Sequence, residues 1–273
     1  MTPPGCIYYA IEMNQILHIG DIVGSPGRRT FAQIVTRMRQ AGGADAVVVN
    51  AENAAGGRGL TPDLAEELFA AGADVITLGD HTWDQKEIIP YLDREPRIVR
   101  PANFSPDCPG RGITTVETEA GRLTVLSLIG RVFMAPVDCP FRAADRILRE
   151  ARNGGTVLVE MHAEATSEKI AMGRYLDGRV ASVAGTHTHV QTSDEEILPK
   201  GTAYITDLGM TGPKDSVLGR DVDPVLSKFL TGMPSRFSVA TENVAMEGVH
   251  LRVHPETGKV KRIRRIRERP DST

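Results

Sequence analysis

Aromatic residues make up only 5% of the 273-residue sequence, with a single tryptophan. A core of that composition is filled by Ala, Val, Ile and Leu. With 41% of residues hydrophobic, the chain can bury a sheet between helix layers in one large α/β domain. Cysteine is also scarce. Cys6, Cys108 and Cys139 are an odd number, at spacings that match neither a CxxC metal pair nor a disulfide framework. Reduced thiols and a cytoplasmic location are expected. No sign of charge dominates: 32 Lys and Arg face 35 Asp and Glu, for a formal charge of −3. That excludes a global basic field for duplex nucleic acid, although a small nucleotide needs only a local site. No apolar run approaches the roughly 18 residues that span a bilayer. The N-terminus has no basic segment followed by an apolar stretch and cleavage site, so neither secretion nor membrane association is expected. Linkers and internal repeats are lacking too. The chain reads as a single domain over 13–273, preceded by an extension, MTPPGCIYYAIE, over 1–12.

What is present is an alternation of apolar runs and helical periodicity. Ile16 to Val23 reads as a strand, closed by Gly24, Pro26 and Gly27, and a helix follows on Phe31, Ile34, Val35 and Met38. Ala46 to Val49 and Val75 to Leu78 read as buried strands, and Thr61-Pro62 opens a helix between them. Gly112 to Glu117 and Leu123 to Leu128 form a strand pair, and Ala143 to Ala151 is helical. Thr156 to Glu160, Val180 to Ala184, Ala203 to Ile205 and Val244 to Val253 complete the strands. This order predicts a parallel sheet covered by helices. The basic tail Lys259 to Arg269 alternates with Val260, Ile263 and Ile266, the pattern of a terminal edge strand or solvated face.

The polar residues that can carry chemistry fall at the ends of these strands. Asp21 lies near the end of the first, Glu52 and Asn53 just past the second, and Asp80 and His81 just past the third. His162 follows the strand ending near Glu160, and His187 and His189 follow the one ending near Ala184. Carboxyl ends of parallel strands share one edge, where ligands bind. Taken singly, each residue has an ordinary explanation. Asp21 suits a turn, Asp80 a helix cap, Glu52 and Asn53 a polar loop, and a lone histidine a hydrogen-bonded position. Taken together they concentrate four histidines and three carboxylates at strand ends. The pair His187 and His189 would share one face if both lay on a strand.

Carboxylate, amide and imidazole without thiolate suit iron, manganese or zinc, whereas calcium asks for oxygen alone. Seven candidate ligands exceed one tetrahedral ion. They suit two ions bridged by a carboxylate and a hydroxide, the arrangement that clamps the oxygens of phosphoryl displacement. His81 is then left as a general acid. The glycines around Arg58 allow a close backbone approach to ligand, with Arg58 either touching phosphate or solvated. A Rossmann site is disfavoured, since Gly20, Gly24 and Gly27 do not spell GxGxxG.

The set Gly20-Asp21, NAEN (Asn50 to Asn53), GDH (Gly79 to His81), His162 in MHAEATSEK and GTHTH (Gly185 to His189) resembles the calcineurin-like metallophosphoesterases. Within them the chain is similar to the bacterial 2′,3′-cyclic-nucleotide 2′-phosphodiesterases, the YmdB-like family. Longer stretches such as IGDIVGSPGRR, LGDHTWD and ITDLGMTGP carry that likeness from about Ile16 to Gly219. The resemblance implies a four-layer αββα sandwich, a homo-oligomer, and iron or manganese as metals, with zinc or magnesium as alternatives. It implies that Asp21, Asn53 and His189 hold one ion, that Asp80, His162 and His187 hold the other, and that Glu52 bridges them. His81 would protonate the departing 2′ oxygen as hydroxide attacks phosphorus, giving a 3′-nucleotide. The family motif has asparagine where this chain has Asp80. Three carboxylates and a hydroxide then cancel the four charges of two divalent ions, which implies weaker attraction for a phosphodiester or a preference for an Fe(III)/M(II) pair. A phosphomonoesterase or nucleotidase, or a nucleotide-sensing regulator with little turnover, fits the same motifs.

Overall fold

In a computed structural model, residues 12–150 and 155–270 are described. The expected extension over 1–12 lies outside them, except for Glu12. In chain order the elements begin β1 (Asn14–Ile19), β2 (Asp21–Ile22), α1 (Gly24–Gln40), β3 (Ala46–Asn50), α2 (Pro62–Ala70) and β4 (Val75–Thr77). There follow α3 (Ile89–Leu92), β5 (Ile98–Val99), β6 (Ile113–Thr118), β7 (Gly121–Ile129), α4 (Pro140–Glu150), β8 (Thr156–His162) and α5 (Thr166–Leu176). The remainder is β9 (Ser182–Thr186), β10 (Glu196–Ile197), β11 (Ala203–Ile205), β12 (Met210–Pro213), α6 (Val222–Thr231), β13 (Val244–Val253) and β14 (Val260–Glu268).

The strands make two sheets. The first runs β2-β12-β13-β1-β3-β4-β5, with β14 added against β13, and the second runs β10-β11-β9-β8-β7-β6. Strands β1, β3, β4 and β5 are mutually parallel, as are β7, β8, β9 and β11. The expected parallel sheet is corrected at β13, whose residues Gly248 to Val253 run antiparallel to β1. The strand expected over Ile16 to Val23 is also corrected. Gly20 still donates its amide to Glu247 of β13, but the Asp21 amide bonds to Gly209, and Asp21 and Ile22 pair with β12. The chain changes partner there, so one apolar run becomes two strands. The basic tail is β14, an edge strand, as its alternation predicts.

The layers follow from the two-residue period of the strands. Leu17, Ile19, Val47 and Val49 point to one face of the first sheet and pack with Phe31, Ile34 and Val35 of α1 and Leu68 of α2. Ile16, Val48 and Val75 point the other way and meet Val125, Leu158 and Ala184 of the second sheet. The outer face of that sheet, through Leu126, Val159 and Met161, is covered by Ala143 and Ala144 of α4 and Met172 and Leu176 of α5. The order is helix, sheet, sheet, helix. At α2 the sequence signal is visible atom by atom: Thr61 accepts from the Leu64 amide and Pro62 occupies the first turn. Cys108 and Cys139 are free thiols. Among the described residues no helix is long and apolar enough to cross a membrane.

The layer between the sheets changes character along the strands. It is apolar at Ile16, Val48, Val75 and Leu158, one step on it becomes His18, Asn50, Thr77 and Glu160, and on β8 a further step is His162. All of these are fully buried. Glu160 gathers the polar step. Its carboxylate accepts from Thr77 Oγ1 (2.6 Å), Asn50 Nδ2 (2.8 Å) and Thr186 Oγ1 (3.2 Å), with His18 Nε2 at 3.2 Å. Burial favours the neutral acid, but the bonds from His18, Thr77 and Asn50 outweigh it and hold Glu160 below the usual carboxylate range.

Candidate metal centre

Past that polar step, the strand ends of both sheets open onto one edge, and all eight residues singled out above lie there. Glu52, Asp80, His162 and His187 offer donor atoms that all lie within 4.8 Å of one another. His162 is their centre: its Nε2 is 2.9 Å from Asp80 Oδ1, 3.0 Å from His187 Nδ1 and 3.2 Å from Glu52 Oε1. Its Nδ1 is 3.0 Å from Thr186 Oγ1, which continues to Glu160. The ring also depends on Gly79, where a Cβ would come within 2.4 Å of His162 Nε2.

The remaining ligand candidates adjoin this group. His189 Nε2 is 3.8 Å from Asp21 Oδ1 and 3.2 Å from Asn53 Nδ2, and Asn53 Nδ2 reaches back to Glu52 Oε1 at 3.4 Å. A half-turn of the Asn53 amide presents its oxygen instead. Glu52 therefore touches both groups, and its second oxygen accepts the His81 amide at 3.0 Å.

His187 and His189 reach these positions in an unexpected way. Strand β9 stops at Thr186, so the two histidines do not share a strand face. Both lie in the left-handed region, at φ 97° and 63°. For non-glycine residues such backbone costs of order 1–3 kcal/mol each. This turn sends His187 to His162 and His189 to Asp21 and Asn53.

The electrostatics are those of acids and imidazoles crowded together in a largely buried cluster. Burial raises Asp21 well above the ordinary carboxylate value; His162 opposes the shift, while Glu52, Asp207 and Glu160 add to it. Asp21 Oδ1 is buried with no hydrogen-bond partner. Burial would lower the pKa of His162, but Glu52, Asp80 and Asp21 drive it well above its usual value. Burial likewise opposes ionisation of Asp80, yet hydrogen bonds with His162 and His187 hold it well below the usual range. His189 is pushed down to about 4 by burial, which leaves a neutral ring able to ligate. An orphaned carboxylate oxygen among buried acids and imidazoles, with no thiolate, fits hard or borderline cations.

His81 sits on the rim and lines a cavity of about 680 Å³ with Glu52, Asn53, His187 and His189. Its Nδ1 is 2.8 Å from Asp84 Oδ2. Asp84 was not among the expected site residues, although its place in LGDHTWD, three residues after His81, was the available signal. Arg58 does not line this cavity; its Nε donates to Asp84 at 2.9 Å. The arginine that does is Arg220, whose guanidinium donates to the carbonyls of Gly56 and Gly57 at 3.0 and 2.6 Å. Nothing in the sequence near Arg220 announces that role.

A four-layer αββα sandwich with acidic and imidazole side chains at the strand ends defines a calcineurin-like metallophosphoesterase fold. The chain belongs to the YmdB-like family, whose model, described as YmdB-like protein, matches residues 17–266. It is 48% identical over 253 residues to the 2′,3′-cyclic-nucleotide 2′-phosphodiesterase of Bacillus subtilis strain 168, covering 92% of this chain and 96% of that protein. Two solved structures share the fold closely. A hypothetical protein of Thermus thermophilus superposes with a TM-score of 0.88 at 42% identity, over 94% of this chain and 99% of its own. A protein of Mycoplasma pneumoniae described as a novel phosphatase superposes at 0.89 and 33% identity, over 96% and 95%.

Proposed function

We propose that this protein is a dinuclear-metal phosphodiesterase that opens 2′,3′-cyclic nucleotides to 3′-nucleotides. The observation that carries the reading is Glu52, whose carboxylate lies between two groups of metal-type donors. Asp21, Asn53 and His189 would hold one ion and Asp80, His162 and His187 the other, with iron or manganese the metals this donor set suits and zinc or magnesium the alternatives. When bound, such a pair offsets charge on the phosphodiester oxygens and lowers the pKa of an attacking water.

The protein's own groups supply the rest. Asp84 holds Nδ1 of His81, which leaves Nε2 to give a proton to the departing 2′ oxygen. Gly56 and Gly57 keep the Arg220 side chain at the cavity wall, where its charge favours an anionic substrate. The wall continues to Phe229 and Phe237, apolar surface against which a nucleobase can rest. Phe229, Leu230 and Met233 are more than half exposed beside the cavity, which supports a homo-oligomer; light scattering on the purified protein tests that part.

The decisive experiment couples metal analysis of purified protein to hydrolysis of 2′,3′-cyclic AMP and bis(p-nitrophenyl) phosphate, with and without chelator. Bound metal and chelator-sensitive cleavage to the 3′-nucleotide are expected; turnover that survives complete metal removal would sink the reading. A phosphomonoesterase is the second reading, favoured by the description of the Mycoplasma pneumoniae relative as a phosphatase. Faster turnover of 3′-AMP than of the cyclic nucleotide would select it.

A further inference from the structure

The turn carrying His187 and His189 lies against a buried ion pair that the proposed chemistry does not use. Lys169 Nζ is 2.7 Å from Asp207 Oδ2, and both side chains are 1% exposed. The same carboxylate accepts from the hydroxyl of Thr188 (2.7 Å) and from its backbone amide (3.2 Å), while Oδ1 accepts from the Gly209 amide at 2.9 Å. Thr188 is the one residue between the two left-handed histidines. Lys169 belongs to α5, the helix that begins four residues after His162. It reaches Asp207 across Gly185, where a Cβ would fall 2.7 Å from Lys169 Cδ and 1.8 Å from the Thr206 carbonyl oxygen.

A buried ion pair is weak evidence for stability, because desolvation offsets its attraction. Here Oδ2 of Asp207 serves Thr188 and Lys169 together, while Oδ1 is fixed by the local Gly209 amide. A left-handed pair of histidines relaxes unless neighbours over-determine it. The geometry points to Lys169 and Asp207 as positioning residues. Through Thr188 they lock the turn that sends His187 to one half of the centre and His189 to the other, so that one buried carboxylate sets metal retention in both halves. This inference rests on the metal-centre reading above.

Metal affinity, measured by chelator competition against Mn(II) on the full chain, tests it separately from turnover. Thr188→Val keeps the shape and the backbone bond but loses the hydroxyl. It should weaken retention of both ions by about tenfold, the size expected of a group that orients ligands, while the melting temperature of the metal-free protein stays put. Thr188→Ser should restore wild-type affinity. The charge-neutral double variant Lys169→Met/Asp207→Asn, which strands no buried charge, should lose both ions more severely. Wild-type-like affinity in Thr188→Val and in the folded double variant would overturn the positioning role. Loss of one ion alone would overturn the claim that both halves depend on it. A wild-type protein that retains no Mn(II) would instead overturn the metal-centre reading and the inference with it.

Discussion

The two sheets contribute different chemistry to the same edge. The first supplies oxygen and amide donors, Asp21, Glu52, Asn53 and Asp80, from the ends of β2, β3 and β4. The second supplies only imidazoles, His162, His187 and His189, from the ends of β8 and β9. Neither sheet alone holds a complete set. The site exists because the sheets pack face to face, and Glu160, on the imidazole side, crosses their seam by bonding to His18, Asn50 and Thr77 on the oxygen side. Packing and the convergence of these side chains are therefore one structural fact, and substitutions on either side test whether they can be separated.

The largest effect is expected at Glu52, the oxygen donor that touches both groups. Glu52→Ala should empty the centre of metal and lower phosphodiester hydrolysis by at least about a thousandfold, as judged by metal content and kcat/KM together. A variant that keeps two ions would break the bridging assignment. His81→Ala should retain metal and lose about a thousandfold in kcat on 2′,3′-cyclic AMP. The loss should be much smaller on bis(p-nitrophenyl) phosphate, whose leaving group needs no proton; equal losses on both would refute the acid role.

The seam itself comes next. Glu160→Gln removes the charge from a buried acceptor with four partners and should cost about 3 kcal/mol of unfolding free energy, a stability ratio of about 150. Chemical denaturation of the metal-free variant reads it, and an unchanged midpoint would show that the sheets do not depend on this residue. The smallest effect is expected at Asp80. Its extra charge, about 5.5 Å from a bound phosphate, opposes the substrate by at most roughly 3 kcal/mol at an effective dielectric near 20, and solvent at this one-third exposed side chain screens about half of that. Asp80→Asn should therefore raise kcat/KM at saturating metal by about tenfold; no gain would remove the electrostatic argument.

The oxygen side was the more legible of the two. Glu52, Asn53 and Asp80 follow apolar runs in βαβ order, so the parallel arrangement of β3 and β4 could be anticipated, and with it the shared edge. His162 was readable for the same reason on β8. The turn at His187 and His189 was not, because positive φ in a non-glycine residue leaves no mark on residue identity and depends on Asp207, some twenty positions away. The break at Gly20 and the antiparallel β13 escaped for a related reason. Both are set by partners more than 180 residues distant, Gly209 and Glu247, and an apolar run looks alike whether it keeps one neighbour or changes two. The face-to-face packing of the sheets came from family likeness alone, since spacing along the chain says nothing about which two faces meet.

Gly79 also limits what this chain can become. The space its missing side chain leaves is occupied by the His162 ring, so positions 79 and 162 form a lock of two parts separated by 83 steps along the chain. Alanine at 79 is excluded while histidine stands at 162, and a smaller residue at 162 that would admit it forfeits the donor at the centre of the cluster. Either replacement made first meets a cost, a displaced His162 ring in one order and a lost imidazole in the other. A library randomised over both positions should be enriched in the native pair, a constraint on this glycine that comes from the ring above it.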